Sequence, residues 1–380
     1  MMFDNVAILS AVRTPIAKGG RGLFKNLRPD ELGSIVIKEA VKRAGISKDE
    51  IEDVIFGCAM PEAEQGMNVA RIMSLRAGLP VTTSAATVNR FCASGLHAVA
   101  DVAKSIEVGQ ISLGIGGGVE SMSMIPMGGH KPSANPYLIE HAPGTYLSMG
   151  LTAEEVASRF AISRQRQDQF ALLSHQKACT AIKNAYFKDE IVSVDIDGAT
   201  VSTDEGPRSD TTLEALSALK PAFKLGGSVT AGNSSQVSDG AAAVVLMNFN
   251  QAKAQIKKIR GYMRAFVTAG VDPTIMGTGP VPAVRKLLHL SGLKVEDIGV
   301  FELNEAFAAQ ALYCIDELKL DPNKVNPCGG AIALGHPLGC TGARQIATIL
   351  GHMERNKLRY GIATMCIGGG MGAAALIERA

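Results

Sequence analysis

The chain has 380 residues, of which 46% are apolar and 19% are charged, so it can bury a large core and is not a disordered chain. Its 38 basic and 36 acidic residues give a net charge of +2, and no run of Lys or Arg exceeds two residues. This pattern excludes a basic patch for nucleic acid or a membrane surface, so an anionic ligand must be met by a local group of cations. Glycine is over-represented, at 41 of 380 residues or about 11%, against a usual level of about 7%. With only 5% aromatic residues, the composition favours the close backbone packing of a layered α/β enzyme.

Two distant stretches share the same order of predicted elements. Residues 29–44 carry apolar side chains on one helical face and end at Gly45, and a short strand follows at 53–56. Residues 282–291 have the same helical pattern, end at Gly292, and lead to a strand at 300–301. Each stretch therefore predicts a helix, a turn and a buried strand.

An offset of 247 residues aligns these stretches without a gap and also pairs 94–95 with 341–342. A second similarity, at an offset of 252, relates the Ile-Gly-Gly-Gly run at 115–118 to the run at 367–370. The collinear matches predict an internal duplication with two similar α/β halves.

The section between the halves has a different composition. Residues 121–149 are rich in Met, Gly, Pro and His, a capping-box pattern at 152–155 predicts the start of a helix, and another helix is expected at 165–185. We therefore predict three parts: an N-terminal half at 1–120, an inserted loop domain with the end of that half at 121–245, and a C-terminal half at 246–380. Insertions of this kind often shape a ligand site.

Residues 360–377 are uncharged for 18 residues, which meets the length of a membrane span, but five of them are Gly. A buried strand, a turn and a second strand are the better interpretation, and no membrane partner is expected. The N-terminal residues lack the pattern of a signal peptide, and the seven cysteines are scattered and odd in number. We therefore expect a reducing, cytoplasmic compartment.

Two cysteines are candidate reactive thiols. Cys92 lies where an apolar stretch gives way to small residues and then to a helical pattern, and a helix N-terminus would stabilise its thiolate. Cys366 ends an apolar stretch just before a glycine cluster whose N–H groups could face an oxyanion. The alternative for each is a small, buried, apolar cysteine. The glycine run at 116–118 lacks the full spacing of a dinucleotide-binding loop.

His336 and Asn304 are candidate polar groups of the same site. Glycines surround His336 in the segment 328–344, which predicts a shaped loop; the alternatives are a packed histidine or a zinc ligand beside Cys328 and Cys340, although no CxxC pair is present. Asn304 follows a predicted strand and precedes a predicted helix, so the alternative for this residue is an N-cap. Glu305 is interpreted as a charge in the first turn of that helix.

Together, four segments in this order resemble the thiolase family over nearly the whole chain: 89–95, 304–308, 329–344 and 366–368. The last third is most similar to degradative 3-ketoacyl-CoA thiolases, the acetyl-CoA acyltransferases of fatty-acid β-oxidation. The resemblance implies a five-layered αβαβα fold from two duplicated halves, with a loop domain inserted in the first. It also implies a homodimer or homotetramer, with membership of a β-oxidation complex as a further possibility.

The resemblance implies a role for each candidate. Cys92 would be the nucleophile that accepts the acyl group, His336 the base that activates it, and Cys366 the general acid and base. Asn304 would hold a water beside an oxyanion site, and the N–H group of Gly368 would help to hold the oxyanion at C3. Two thiols and one imidazole are then sufficient, so neither a metal nor a redox cofactor is expected, and CoA is a substrate.

The same resemblance implies five contacts to acyl-CoA and CoA. Arg208 would pair with a phosphate or stack on the adenine, and Ser235 would hydrogen-bond the pantetheine. The other three would form an apolar wall: Phe223, Met149 and Phe307. A surface charge, a turn serine and core side chains are the respective alternatives.

Two positions depart from the family pattern. Ala93 follows the nucleophile where Gly or Ser is more common, and Ser148 stands where acetoacetyl-CoA-specific relatives often have His. The second departure favours the degradative type over an acetoacetyl-CoA thiolase working in the condensing direction. A non-catalytic acyl-CoA-binding or structural protein would be expected to lose Cys92, His336 or Cys366, and all three are present.

Overall fold

The computed structural model describes residues 2–380. The N-terminal half begins as strands alternating with helices: β1 (Val6–Arg13), β2 (Ala17–Lys18), α1 (Pro29–Ala44), β3 (Asp53–Gly57), α2 (Val69–Arg76), β4 (Ser84–Val88), α3 (Ser94–Glu107) and β5 (Leu113–Ser121). The segment that follows lies outside the main sheet and forms α4 (Pro136–His141), α5 (Met149–Arg159), α6 (Arg164–Lys183), β6 (Val194–Ile196), β7 (Ala199–Val201) and α7 (Leu213–Ser217).

The chain then returns to the sheet, where β8 (Ser238–Asn248) completes the first half and α8 (Phe249–Ala254) follows it. The second half consists of β9 (Gly261–Gly270), α9 (Pro280–Ser291), β10 (Val300–Leu303), α10 (Ala308–Leu318), α11 (Ala331–Leu334), α12 (Leu338–Asn356), β11 (Tyr360–Ile367) and β12 (Met371–Arg379). The strand-turn-strand prediction for 360–377 is confirmed by β11 and β12. Among residues 2–380, no helix combines the length and apolar character needed to cross a bilayer.

The helix predicted at 29–44 has those bounds, and its ends explain why. Asp30 and Glu31 lie in the first turn of α1, Lys42 and Arg43 lie in the last, and each pair complements the helix dipole. Gly45 then takes a left-handed conformation with φ of 62°, which ends the helix at little cost. The capping-box prediction at 152–155 is wrong, because α5 already begins at Met149.

The two halves repeat one strand arrangement. The sheet runs β4-β3-β5-β8-β1 and continues through β9 into β12-β11-β10, so β1 and β9 join the halves. In the parallel pairs β3–β5 and β10–β11, Val54 lies opposite Ile115 and Phe301 lies opposite Ile362. Both members of the second pair follow those of the first by 247 positions, so the register itself repeats and the duplication is confirmed.

The second predicted similarity, at an offset of 252, is wrong as a structural equivalence. Residues 115–118 lie inside β5, whereas 368–370 form the turn between β11 and β12. The glycine run in β5 is extended strand, so it is not a dinucleotide-binding loop. Short Gly-rich matches arise without shared register, because glycine suits both a tightly covered strand and a turn.

Five layers result from how the helices cover the sheet. α1 and α2 cover one face of the first half, α9 and α10 cover the opposite outer face of the second, and α3 and α12 pack between the halves. This is the αβαβα order that the sequence predicted. The inserted segment packs mainly through α5 and α6 onto α10 and α11. The domain boundaries at 1–120, 121–245 and 246–380 stay predictions.

Candidate active site

Cys92 lies in a tight 3₁₀ turn between β4 and α3. The preceding residue, Phe91, has φ of 44°, a left-handed conformation that is uncommon for a residue other than Gly. Asn89 Oδ1 accepts the Phe91 N–H at 2.8 Å, and Ser94 Oγ donates to the Phe91 carbonyl at 2.6 Å. Side chains on both sides therefore hold a strained turn that presents the thiol, a feature that is typical of functional sites.

The Cys92 thiol is buried, with 8% of the residue exposed. Burial raises the pKa of this thiol to about 11, although the N–H groups of Gly368 and of Cys92 itself point at the sulfur and act in the opposite direction. The expectation that a helix N-terminus lowers this pKa is therefore wrong for the ligand-free protein, because desolvation outweighs the N–H groups. The two N–H groups nevertheless converge where an oxyanion on an attacked carbon would lie.

His336 lies between α11 and α12, in the glycine-rich loop that the sequence predicted, and it is 4% exposed. Its Nδ1 is 2.6 Å from Thr341 Oγ1, and that hydroxyl donates to the Pro337 carbonyl at 3.0 Å. Nδ1 therefore carries the hydrogen, and Nε2 is left as an acceptor. Burial, together with the positive charge of Arg344, lowers the pKa of His336 to about 3, so the ring is a neutral base.

Asn304 points its amide at the imidazole. Its Nδ2 is 3.2 Å from Nε2 of His336, and its Oδ1 has no hydrogen-bond partner within the described chain. The N-cap alternative is wrong, because α10 begins at Ala308 and the side chain of Gln310 accepts the Phe307 N–H at 3.3 Å. A buried acceptor without a partner is uncommon, which fits a residue that meets a water or a ligand oxygen.

Glu305 is not the helix charge that the sequence suggested, because it is buried and lies before α10. Its carboxylate accepts from Ser174 Oγ at 2.6 Å, from Asn326 Nδ2 at 2.8 Å and from the Ile332 N–H at 3.2 Å. Burial raises its pKa, while these donors oppose the shift. The carboxylate thus connects α6, the loop at Asn326 and α11, the helix that precedes His336, to the segment before α10.

Cys366 is fully buried near the end of β11 and packs in one apolar cluster with Phe307, against which Met149 lies. Burial raises the pKa of this thiol well above its usual value, and the neighbouring Cys92 adds to the shift. A Cβ at Gly368 would lie 3.5 Å from Met149 Sδ and 3.7 Å from the Phe91 ring. A methyl group would therefore fit here in ordinary contact, and the N–H of Gly368 points at the Cys92 thiol.

A close backbone approach packs the start of α12, just after His336, against the first half. A Cβ added at Gly118 or Gly95 would overlap the Gly339 carbonyl oxygen, so the start of α12 can lie directly against the first half. Glu120 strengthens this contact: its carboxylate accepts the Gly339 N–H at 2.8 Å and the N–H groups of Ala59 and Met60. The Cys92 turn packs against α12 and β11 as a result.

Three of the predicted CoA residues line one cavity of about 550 Å³, namely Arg208, Ser235 and Phe223. The ring of Phe223 meets Phe307 edge-on, with centroids 5.9 Å apart, and Phe307 packs with Cys366. Phe223 therefore connects the cavity to the cluster that holds Cys366, and the exposed Arg208 lines the same cavity. Among residues 2–380, no three His, Cys, Asp or Glu side chains converge as metal ligands would.

Comparisons with known proteins agree with this geometry. Residues 6–250 match the family model described as "Thiolase, N-terminal domain", and residues 257–379 match "Thiolase, C-terminal domain". The "3-ketoacyl-CoA thiolase" of Bacillus subtilis (strain 168) is 50% identical over 384 residues and covers 98% of each chain. The "3-ketoacyl-CoA thiolase, peroxisomal" of Homo sapiens is 46% identical over 98% of this chain and 91% of its own length.

Two solved structures are also similar over the full length. The dimeric peroxisomal thiolase of Saccharomyces cerevisiae superposes with a TM-score of 0.93 at 44% identity and covers 99% of this chain and 98% of its own. The acetyl-CoA acetyltransferase of Bacillus anthracis gives a TM-score of 0.91 at 41% identity and covers all of both chains. The resemblance found in the four sequence motifs is therefore confirmed, and the chain belongs to the thiolase family.

Proposed function

We propose that this chain is a degradative 3-ketoacyl-CoA thiolase, an acyltransferase that cleaves 3-oxoacyl-CoA with CoA into a shortened acyl-CoA and acetyl-CoA during fatty-acid β-oxidation. Relatives with that name are 46–50% identical over almost the entire chain. The observation that carries the proposal is that two buried thiols, Cys92 and Cys366, are neighbours, and that a buried neutral imidazole, His336, lies beside Asn304.

In the first half of the reaction, Cys92 attacks C3 of the 3-oxoacyl-CoA as its proton passes to Nε2 of His336. Proton transfer coupled to attack suits these groups, because a Cys92 thiolate formed ahead of the attack would be costly in so buried a site. The C3 oxygen becomes an oxyanion, and we assign its stabilisation to the N–H groups of Cys92 and Gly368, which point at the Cys92 thiol.

The bond between C2 and C3 then breaks, and its electron pair leaves as the enolate of acetyl-CoA. We assign to Asn304, whose Nδ2 lies 3.2 Å from Nε2 of His336, the role of facing the thioester oxygen directly or through a water. Cys366 donates its proton to C2, so acetyl-CoA leaves and Cys366 becomes a thiolate while Cys92 carries the acyl group.

In the second half, the Cys366 thiolate takes the proton of incoming CoA, and the CoA thiolate attacks the acyl thioester. The shortened acyl-CoA leaves, and Cys92 recovers its proton from His336. Every proton is thereby returned, so we propose that the cycle uses no metal and no redox cofactor. Transfer through a covalent intermediate predicts ping-pong kinetics.

The assembly that we propose is a homodimer in the cytoplasm. A structural relative is described as dimeric. At the edge of the sheet, β4 is exposed, and Met67 and Val81 beside it are 92% and 79% exposed. Unpaired strand edges and apolar side chains of this kind are typical of an association surface. A homotetramer or membership of a β-oxidation complex is an extension of the same proposal.

A chain-length assay tests the subtype. Thiolysis of acetoacetyl-CoA is measured beside that of a long-chain 3-oxoacyl-CoA, and we expect activity on both. Activity on the four-carbon substrate alone would instead identify an acetoacetyl-CoA thiolase, the activity related to the name of the Bacillus anthracis neighbour.

Intact-mass spectrometry tests the nucleophile. Wild-type protein mixed with a 3-oxoacyl-CoA should gain the mass of one acyl group, and Cys92→Ser should not. An acyl adduct on that variant would remove Cys92 from its role.

A further inference from the structure

A stripe of polar side chains runs along one face of α3: Ser94, His97, Asp101 and Lys104. They follow one another at intervals of three or four residues, which places them on the same side of a helix. Ser94 belongs to the turn that presents the thiol. Its hydroxyl donates to the Phe91 carbonyl at 2.6 Å and accepts the Arg90 N–H at 2.8 Å. The stripe therefore begins at this turn and continues along α3.

His97 connects the stripe to the side chain of Arg90. Nε of Arg90 donates to Nδ1 of His97 at 2.8 Å, and among residues 2–380 this is the only hydrogen bond that the Arg90 side chain donates. A guanidinium keeps its protons and can only donate, so Nδ1 must be the acceptor. The hydrogen of the ring is then on Nε2, which lies 3.0 Å from Oδ2 of Asp101. One tautomer therefore suits both neighbours of the imidazole.

Asp101 and the second half of the chain fix the imidazole in place. Partial burial would raise the pKa of Asp101, but hydrogen bonds from His97 and Lys104 outweigh it and lower the pKa, so the carboxylate is ionised. Phe266, on β9, meets the His97 ring edge-on, with centroids 5.4 Å apart. The Lys104 ammonium lies 5.5 Å from the centre of the same phenyl ring. The imidazole is thus held by charge on one side and by packing on another.

The backbone of Arg90 is part of the turn that positions Cys92. Its carbonyl accepts the Ala93 N–H at 3.1 Å. The next residue, Phe91, has φ of 44°, and such a conformation persists only where the surrounding structure holds it. The contact of the Arg90 side chain with His97 ties this turn to the body of α3.

We propose that His97 is a positioning residue for the nucleophile. Asp101 fixes the imidazole, the imidazole holds Arg90, and Arg90 keeps the turn in the shape that places the thiol and the N–H group of Cys92 for attack. The inference rests on the proposed role of Cys92. His97 acts through Arg90 and touches no reacting atom. Reactions are sensitive to support of this kind, because a displacement of about 1 Å can lower a rate about a hundredfold.

Two substitutions of His97 separate positioning from packing. His97→Leu keeps an apolar contact with Phe266 and removes both polar contacts, so kcat for thiolysis should fall about tenfold while KM changes little. His97→Gln can accept from Arg90 through its amide oxygen and donate to Asp101 through its amide N–H, so it should restore most of kcat. Alkylation of Cys92 by iodoacetamide, located by peptide mapping, should slow in the first variant and recover in the second.

Arg90→Leu removes the same contact from its other end and carries the test if His97→Leu does not fold. Because both residues act through one hydrogen bond, His97→Leu/Arg90→Leu should be no slower than the slower single variant. His289→Leu is the matched control. His289 is exposed, lines the same groove of about 430 Å³ as Arg90 and His97, and forms no side-chain hydrogen bond or ion pair among residues 2–380. Its variant should keep the wild-type kcat.

Four results would each overturn the positioning role. They are wild-type kcat in His97→Leu or Arg90→Leu, no recovery in His97→Gln, multiplied losses in the double variant, and an equal loss in His289→Leu.

Failure of the proposed function gives a different pattern. If alkylation of Cys92 shows the expected order of variants but wild type cleaves no 3-oxoacyl-CoA, the positioning role is supported and the proposed activity is removed. If wild type cleaves the substrate and the His97 and Arg90 variants cleave it equally fast, the activity stands and the positioning role is removed.

Discussion

Replacing Thr341 by Val tests whether the tautomer of His336 determines the rate. The substitution keeps the side-chain shape and removes the hydroxyl that lies 2.6 Å from Nδ1. The buried Nδ1–H would lose its acceptor, at a cost of about 1–3 kcal/mol. The ring can avoid that cost by moving its hydrogen to Nε2, but Nε2 could then no longer accept the Cys92 proton. If the transition state bears this cost, kcat/KM should fall about tenfold to a hundredfold.

The assay is thiolysis combined with alkylation of Cys92 by iodoacetamide as a function of pH. Both the rate of thiolysis and the alkylation near neutral pH should fall in Thr341→Val, and Thr341→Ser should restore both. Thr348→Val is the control, because its buried hydroxyl lies further along α12 and donates to Glu190 Oε1 at 3.0 Å. It removes a hydrogen bond of similar burial without touching the imidazole. Wild-type kinetics in Thr341→Val, or an equal loss in Thr348→Val, would refute the reasoning.

Three further perturbations follow from the structure. Cys366→Ala should slow C–C cleavage about a hundredfold, as the loss of a general acid predicts, and an unchanged single-turnover rate would remove Cys366 from that role. The pKa of His336 is lowered from the ordinary value of 6.5 to about 3 in the folded protein. Below pH 6.5 the unfolded chain therefore binds a proton that the folded protein does not, and folding stability is lost as the pH falls from 6.5 towards 3. In urea unfolding, the free energy of unfolding should fall by about 1–2 kcal/mol more in wild type than in His336→Gln when the pH is lowered from 7 to 5. An equal fall in both proteins would contradict this prediction. Gly118→Ala should cost about 1–3 kcal/mol by pushing against the Gly339 carbonyl, whereas Gly351→Ala, where the nearest atom to a Cβ is 3.2 Å away, should not lower the melting temperature.

Much of the fold could be predicted because its signals are local. The helix 29–44 has matching charges at both ends and a left-handed glycine after it, so its bounds need no tertiary information. The offset of 247 recurs in the strand register because helix, turn and strand were repeated as one unit. The match at 115–118 failed because glycine composition alone carries no register.

The buried carboxylates could not be predicted from the sequence. In their local sequence, Glu305 looks like an ordinary charge at a helix start and Glu120 like one at a strand end. Their burial depends on elements that are far away in the chain. Glu305 is satisfied by α6 and by the segment before His336, and Glu120 is satisfied by Gly339 of the other half. The sign of the Cys92 pKa shift was missed for the same reason, since desolvation is a property of the packed protein.

The contact between Gly118 and Gly339 also makes the proposed activity sensitive to how the two halves are packed against each other. The proposed nucleophile, Cys92, belongs to one half and the proposed base, His336, to the other, and the halves meet here through a backbone contact with no side chain between. A small slip of the start of α12 would separate the reacting groups while every helix and strand stayed intact. Mild denaturant should therefore abolish thiolysis before it changes the far-ultraviolet circular dichroism.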